Sequence, residues 1–462
     1  MAFLTGIKTP MDRKISVFLD SWKKSNIRTP LILRGARQVG KSYAVMDWGS
    51  KNFDSVVEVN FELNPNLAEA FSTRNPQTIC STLEVLTGQK IEDGQTLLFL
   101  DEIQQCPDAL ISMRAFKEKR NGLHIIAAGS LLEFTLQKEK SFSFPVGRVS
   151  FAHLNPMSFS EFLSATGEKN MLEHFKILTT NHPPSPAIHK RALELVQIYW
   201  RVGGMPESVL AYANSKKLLD SNTILRRLAQ AYAADFSKYN APYSIAKLRE
   251  ILDALPRLVG RKFKYTHISK DIRARDLKQP LSDLASAGIL RQIFATHANG
   301  IPLAAEHNSE NFKLLALDIG LMLHMLGLAG SNLVSEESFF ANEGSLAEQF
   351  VGQELLCLAS FDQAPSLHYW VREKKGSEAE LDYVFEWNSK IVPIEVKYGA
   401  TGRLRSLKQF MTEKNSKIGV RISQAPLIIS DGIISVPFYL VSELGRLIDS
   451  SDNLAGRLAN NG

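Results

Sequence analysis

Residues Gly35 to Ser42 read GARQVGKS, a complete match to the pattern G-x-x-x-x-G-K-[ST]. That pattern suits nucleotide phosphates. Backbone N–H groups of Gly35, Ala36, Arg37, Gln38, Val39 and Gly40 can close around phosphate oxygens at the start of a helix. Lys41 supplies a cation for the β and γ phosphates, and Ser42 offers a hydroxyl to Mg²⁺. The apolar run TLLFLDE ends in Asp101 and Glu102. A carboxylate at the tip of a buried strand can hold Mg²⁺ through water, and the next can activate the attacking water, so Asp101 and Glu102 take those two parts. HIIAAGS adds a further strand, and its last residue, Ser130, is a polar group placed to sense the γ-phosphate.

A second set of chemical groups lies near the C-terminal end. In ELDYVFEWNSKIVPIEVKYG two alternating runs flank a Trp-Asn-Ser turn, which predicts a β-hairpin. Strand side chains alternate, so Glu380 and Asp382 share a face of the first strand and Glu395 and Lys397 a face of the second, with Ile394 and Val396 on the other side. A buried strand gains nothing from charges at alternate positions. A metal-dependent phosphodiesterase needs them, with Asp382 and Glu395 to hold Mg²⁺ and Lys397 to orient a hydroxide. Upstream, Glu348 falls on the apolar stripe of Val351, Leu355 and Leu358 if that stretch is helical, where a charge requires a partner. His368 and Arg372, just before the hairpin, read as solvated residues.

A third set is electrostatic. Between Arg257 and Lys278 eight Lys and Arg residues face only Asp271 and Asp276, a local excess of +6 that equals the net charge of the whole chain. The run THISKDIRARDLKQPLSDLASAGIL has the order of a helix-turn-helix, with 274–287 in the recognition position and ILRQIF as a wing strand. Arg273, Arg275 and Lys278 would then face phosphates, and Pro280 would start that helix late or kink it.

The elements that must carry these groups can be read from patterning. With 462 residues, about three times the ~150 of a typical domain, the chain has room for two to four domains. Its 44% hydrophobic and 22% charged residues exclude a disordered or collagen-like protein. LILR, VVEVNF, TLLFL and HIIAA alternate with helical stretches, which predicts a parallel sheet covered by helices and an α/β fold class. The expected division is a P-loop core over 1–165, a helical lid-like segment over 166–240 with a tight turn at Gly203 and Gly204, a winged-helix-like domain over 241–340 and a second α/β domain over 341–462. Cys80, Cys106 and Cys357 form no C-x-x-C pair and suit core packing in a reducing compartment. The start has no signal-peptide pattern, and the apolar stretch Leu314 to Gly330 is broken by Asp318 and His324 and reads as a buried helix. The expected setting is the cytoplasm, with no membrane contact.

GARQVGKS, FLDEIQQCP, IIAAGSLL and GRVSFAHLNPMSFSEFL, in this order, resemble a prokaryotic family of AAA-type ATPases whose C-terminal domain, of unassigned function, is related to PD-(D/E)XK nucleases. The likeness continues through YWRVGGMPE into the C-terminal segment. It implies ATP as nucleotide, with Gly35, Gly40, Lys41 and Ser42 as its ligands, Asp101 and Glu102 as the acidic pair and Ser130 as the sensor. Arg148, in GRVSF, looks like a charge-stabilising arginine, acting within its own subunit or on a neighbour. By the same resemblance Glu348 completes a metal site with Asp382 and Glu395, although the leading Pro of the nuclease pattern is absent.

The expected function is a Mg²⁺-dependent ATPase that couples ATP binding and hydrolysis to action on nucleic acid, DNA first, with a metal-dependent nuclease module. The alternative keeps the ATPase and makes the C-terminal fold an inactive platform for a protein partner. Further copies of the chain are the other expected partners.

Overall fold

The computed structural model describes residues 11–129, 145, 147–235, 242–327, 343–372 and 379–451. The apolar runs of the N-terminal part become β1 (Leu31–Arg34), β2 (Ser55–Asn60), β3 (Thr96–Asp101), β4 (His124–Gly129) and β5 (Ser150–His153), all parallel, in the order β2-β3-β4-β1-β5. Alternation sends Leu31, Leu33, Leu97 and Phe99 into a core with α1 (Ile15–Lys24) and α2 (Lys41–Asn52). Ile32, Leu98 and Leu100 enter a second core with α3 (Pro76–Thr87) and α4 (Pro107–Lys119). Burial on both faces is why β1, β3 and β4 carry no polar residue between their ends. Since every strand runs the same way, the Gly35–Ser42 loop, Asp101 and Gly129 emerge along one edge.

Helices α5 (Phe159–Ala165), α6 (Lys169–Ile177), α7 (Pro186–Val202), α8 (Pro206–Ser215) and α9 (Leu218–Asp235) follow. Gly203 ends α7 at φ +73, and a Cβ there would sit 2.2 Å from Asp318 Oδ1, so both backbone and space demand glycine. Next come α10 (Pro242–Leu258), α11 (Ala274–Ser286), the hairpin of β6 (Leu290–Thr296) and β7 (His307–Ala316), and α12 (Ile319–Met325). α11 starts at Ala274, ahead of Pro280, whose ring is buried inside the helix, so the late start expected from that proline does not occur. The stretch from Leu314, read as one buried helix, begins instead as the end of β7 and becomes helical only at Ile319.

The last part contains α13 (Glu343–Leu356), β8 (His368–Val371), β9 (Glu380–Trp387), β10 (Lys390–Val396), α14 (Arg405–Glu413), β11 (Gly419–Ser423), β12 (Ile428–Ser430) and β13 (Ile433–Pro437). The expected hairpin is β9–β10, closed by Asn388 and Ser389 with φ +46 and +61, the left-handed pair of a two-residue turn. One eight-stranded sheet runs β12-β13-β11-β10-β9-β8-β6-β7. The division expected near 340 is therefore spanned by strand pairing: Phe294, Ala295 and Thr296 of β6 lie beside His368, Tyr369 and Trp370 of β8. Leu277 and Leu290 accordingly share one core with Tyr383, Ile394 and Val436. All three cysteines are free, Cys80 and Cys106 being buried. Among the described residues no helix is long and apolar enough to cross a membrane.

α13 ties this sheet to the rest through polar side chains that have no access to water. Gln349 bonds both N–H and C=O of Ala316, at 2.8 and 2.9 Å, and Gln353 Oε1 accepts from Ile319 N–H at 3.0 Å. Asp318 accepts from the N–H groups of Gly204 at 2.6 Å and Leu321 at 3.0 Å. Glu354 accepts from Phe159 N–H at 2.8 Å. Burial pushes the Glu354 carboxyl up to about 7, with Phe159 N–H and Lys14 opposing. A carboxyl raised in the folded state stabilises the fold as the neutral acid; that contribution is complete below its unfolded pKa and is lost as pH rises through the folded one. Glu354→Gln keeps an oxygen for Phe159 N–H and removes the ionisation. Relative to this variant, wild-type stability should fall by on the order of 2–3 kcal/mol from about pH 4.5 to about 7, read from denaturant midpoints. A difference that does not change with pH would refute the assignment.

Candidate functional site

The turn from β1 into α2 is built by its backbone. Gly40 caps α2 in the left-handed region at φ +88, and Gln38 shares that region at φ +63. A Cβ on Gly35 would meet Leu154 O at 2.3 Å, so the residue that follows β5 presses directly on the loop. Lys41 is buried and donates to the carbonyls of Gly35 at 3.0 Å and Ala36 at 2.9 Å. Burial lowers its pKa to about 8, opposed by the charges of Glu102 and Asp101.

Asp101 meets the loop from the tip of β3. Ser42 Oγ donates to its Oδ2 at 2.8 Å, Asn60 Nδ2 donates to the same oxygen at 3.1 Å, and Glu102 N–H donates to Oδ1 at 3.1 Å. Burial raises the Asp101 carboxyl to about 6 even though the Ser42 bond lowers it. A hydroxyl and a carboxylate side by side, the latter short of compensating charge, fit a hard cation such as Mg²⁺. Glu102 sits at φ +51, which turns it out of the strand line, and Gln104 Nε2 donates to its carboxylate. Ser130 lies outside the described residues.

Two supports of this loop have no motif in the sequence. Arg13, 6% exposed, donates to Val39 O at 2.8 Å, to Asn155 O at 2.8 Å and to Glu161 Oε1 at 3.0 Å. Burial alone would raise the Glu161 carboxyl; Arg13 and the N–H groups of Lys14 and Ser158 overcome it and hold it low. On the other side, Tyr232 OH donates to Arg37 O. The turn that ends α11 also reaches the loop, since a Cβ on Gly288 would lie 3.4 Å from that of Ala36.

Arg148 takes no part in its own chain's site. Ser150 pairs with Leu31 at the start of β1, whereas the phosphate loop leaves the other end, which puts Arg148 roughly 15–20 Å away along the strands. It is exposed and pairs with Glu118 of α4 at 3.0 Å, beside Arg114. The side chain is therefore not among those that surround the phosphate loop.

At the second sheet, Glu348, Glu380 and Asp382 converge, but on a residue the sequence reading passed over. Lys313 of β7 is 1% exposed, and its Nζ lies 2.5 Å from Glu380 Oε1, 3.5 Å from Glu348 Oε2 and 3.7 Å from Asp382 Oδ1. Asp382 Oδ2 also accepts from Val396 N–H at 2.8 Å, and Tyr383 OH donates to Glu348 O at 2.7 Å. Lys397 pairs with Glu395 at 2.6 Å. Burial, then Asp382, raises Glu348 to about 8 and Glu395 to about 7; Lys313 is raised because its carboxylate neighbours outweigh its own burial. Among the described residues no three His, Cys, Asp or Glu side chains are arranged to hold a metal ion. The expected set of Glu348, Asp382 and Glu395 thus does not fit a divalent ion while an ammonium stands among its members. The signal for Lys313 was its isolation in the apolar run FKLLAL. His368, expected to be solvated, is buried in β8, and Arg372 pairs with Glu413 at 2.6 Å.

Arg273, Arg275 and Lys278 are exposed at the N-terminal end of α11, while Leu277, Leu281 and Leu284 are buried. Arg275 lies 3.8 Å from Asp276.

Residues 28–163 match a family described as an AAA domain. Residues 193–332 and 343–440 match two domains of unknown function, DUF8612 and DUF4143. No curated protein matches the chain. Among solved structures it is similar to the Walker-type ATPase paby2304 of Pyrococcus abyssi, at 15% identity over 71% of this chain and 100% of that one, with a TM-score of 0.45. It is also similar to the ORC2 protein of Aeropyrum pernix, at 15% identity over 63% and 90% with a TM-score of 0.30. A third is the RuvB Holliday junction branch migration motor of Thermotoga maritima, at 15% identity over 60% and 87% with a TM-score of 0.27. The AAA-domain match contains the phosphate loop and the acidic pair, and the chain carries an AAA-type P-loop ATPase domain.

Lys41→Ala should abolish ATP binding, whereas Glu102→Gln should retain it and lose about 10²-fold or more in turnover. Equilibrium binding with single-turnover hydrolysis separates the two, and normal hydrolysis by Glu102→Gln would remove that residue from its part. Arg148→Ala should leave ATP affinity unchanged.

Proposed function

We propose that ATP binding and hydrolysis drive action on nucleic acid, DNA in the first instance, held on the basic face between 257 and 278. The observation that carries this is the closeness of Gly288 to Ala36, where there is room for no more than a methyl group between the turn after α11 and the phosphate loop. Bound phosphates would act on Ala36, and any movement there bears on the helix whose other end presents Arg273, Arg275 and Lys278. Helices α10 and α11 followed by the β6–β7 hairpin have the element order of a winged helix, and the positive end of α11 adds to the attraction for phosphates.

In this reading Lys41 carries positive charge to the β and γ phosphates, and loop N–H groups orient them. Ser42 and Asp101 would hold Mg²⁺, which supplies neutralising charge to the phosphates. Glu102 receives the proton of the attacking water, its carboxylate positioned by Gln104. Arg148, remote from its own nucleotide and exposed beside Glu118, would stabilise charge at the nucleotide of a neighbouring copy in a homo-oligomer.

For the C-terminal module the residues favour the second reading, a platform for a protein partner. Lys313 occupies the centre of the carboxylates, so no cleavage step is assigned to Lys397, Asp382, Glu395 or Glu348. The free cysteines suit the reducing cytoplasm.

Duplex DNA should bind with an affinity that falls steeply as salt rises, through counterion release. Arg273→Ala with Arg275→Ala should reduce the slope of log affinity against log salt by about 2. DNA should also raise ATP turnover. Absence of DNA binding at low salt would overturn the proposal in favour of the protein-partner reading.

A further inference from the structure

The geometry points to Lys313 as a built-in cation: its ammonium takes the position a divalent ion would fill among Glu348, Glu380 and Asp382, and makes this a metal-independent site that its removal would open to Mn²⁺ or Mg²⁺. The carboxylates come from three places in the chain, α13 and two positions of β9, and converge on one nitrogen. Convergence of acids is unfavourable unless a positive charge sits among them. Lys313 provides it.

The lysine itself is buried. Its backbone pairs with Ile293 of β6 on one side and bridges Lys262 on the other, which fixes where the side chain starts. Tyr369 lies under the ammonium, 5.2 Å from ring centre to Nζ. Gly260, at φ +75, closes the far side; a Cβ there would stand 2.8 Å from Glu348 Oε2. The ammonium is almost wholly buried and lies against Glu380 at 2.5 Å, with Glu348 and Asp382 within 4 Å. It is held by charge from several sides, as a metal ion is.

A divalent ion and this ammonium exclude each other. Mg²⁺ requires oxygens at about 2.0–2.1 Å in an octahedral shell, which leaves no space for a cation already within 4 Å of three ligands. Ejecting the ammonium would place a charge in the apolar core that contains Phe312, Leu314 and Tyr369. Without Lys313, Lys397 would be left to balance Glu348, Asp382 and Glu395, and the cluster would need a new cation.

The test measures Mn²⁺ binding to the full chain without nucleotide, by electron paramagnetic resonance of free Mn²⁺, in wild type, Lys313→Met, Lys313→Arg, Asp382→Asn and Lys313→Met with Asp382→Asn. Expected is no Asp382-dependent Mn²⁺ site in wild type or Lys313→Arg. Lys313→Met should gain one, at least tenfold tighter than any wild-type binding, and lose it again when Asp382→Asn is added. Should Lys313→Met fold poorly, recovery of its thermal transition by Mn²⁺, absent when Asp382→Asn is added, supports the same conclusion. An Asp382-dependent site in wild type overturns the inference, as does a Lys313→Met chain that gains no Mn²⁺ site and no Mn²⁺ stabilisation. The inference rests on the platform reading of the C-terminal module and would take that reading with it, whereas DNA affinity and ATP turnover are read separately, so failure here leaves the ATP- and DNA-linked part of the proposed function standing.

Discussion

The hairpin of β6 and β7 is the constraint on which both sites depend. Its first strand begins two residues after Gly288, which packs against the phosphate loop, and its second strand delivers Lys313 to the carboxylates. In between, β6 pairs in parallel with β8 and so becomes an interior strand of the eight-stranded sheet. An interior strand cannot shift register without turning its buried side chains to the wrong face. That fixed register holds the end of α11 at Ala36 and the Lys313 ammonium among its acids. The neighbour of the phosphate loop and the cation of the charge cluster both belong to the open end of this hairpin, where Leu290 pairs with Ala316 and Ile293 with Lys313.

Around that frame the molecule places several charges away from water, and each has a partner of matching chemistry. Arg13 and Glu161 face one another at 3.0 Å beside the loop, with the remaining guanidinium bonds satisfied by the carbonyls of Val39 and Asn155. Asp318 is completed by N–H groups from two separate elements, Gly204 and Leu321. Removal of one partner from such a pair costs far more than the pair contributes, because it leaves a buried charge uncompensated. These contacts therefore define one arrangement of the helical segment against both sheets more than they add to stability. Lys41 and Asp101 are the exceptions that matter for chemistry: burial shifts both toward their neutral forms, a condition that phosphates and a metal ion would relieve.

Much of the nucleotide site could be read along the chain, because its parts are local. A phosphate loop is eight consecutive residues between a strand and a helix, and Asp101 with Glu102 follows one apolar run, so spacing and alternation suffice. The β9–β10 hairpin and the exposure of Arg273, Arg275 and Lys278 were legible for the same reason: two-residue turns and amphipathic periods are local signals. Arg13, Tyr232 and Gly288 were not, since each reaches the loop from a distant segment and carries no pattern of its own. Arg148 shows the limit from the other side. Its place in a motif suggested proximity to phosphate, and only the pairing of Ser150 with Leu31 put it at the opposite end of the strands.

The C-terminal cluster separates the two kinds of knowledge most clearly. From sequence alone, alternation determined that Glu380 and Asp382 share one strand face, that Glu395 and Lys397 share another, and that Glu348 lies on an apolar stripe in need of a partner. What the partner is, alternation cannot say, because a carboxylate is satisfied equally by a metal ion or an ammonium. Lys313 lies 35 residues before Glu348 in the sequence and 69 before Asp382, in a strand of a different hairpin, and its pairing with β6 together with the bridges from the segment after α10 brings it to them. Periodicity fixes which way a side chain faces within its own element. Which cation fills a buried cluster is settled by elements remote in sequence, through the cost of burying a charge without its counterpart.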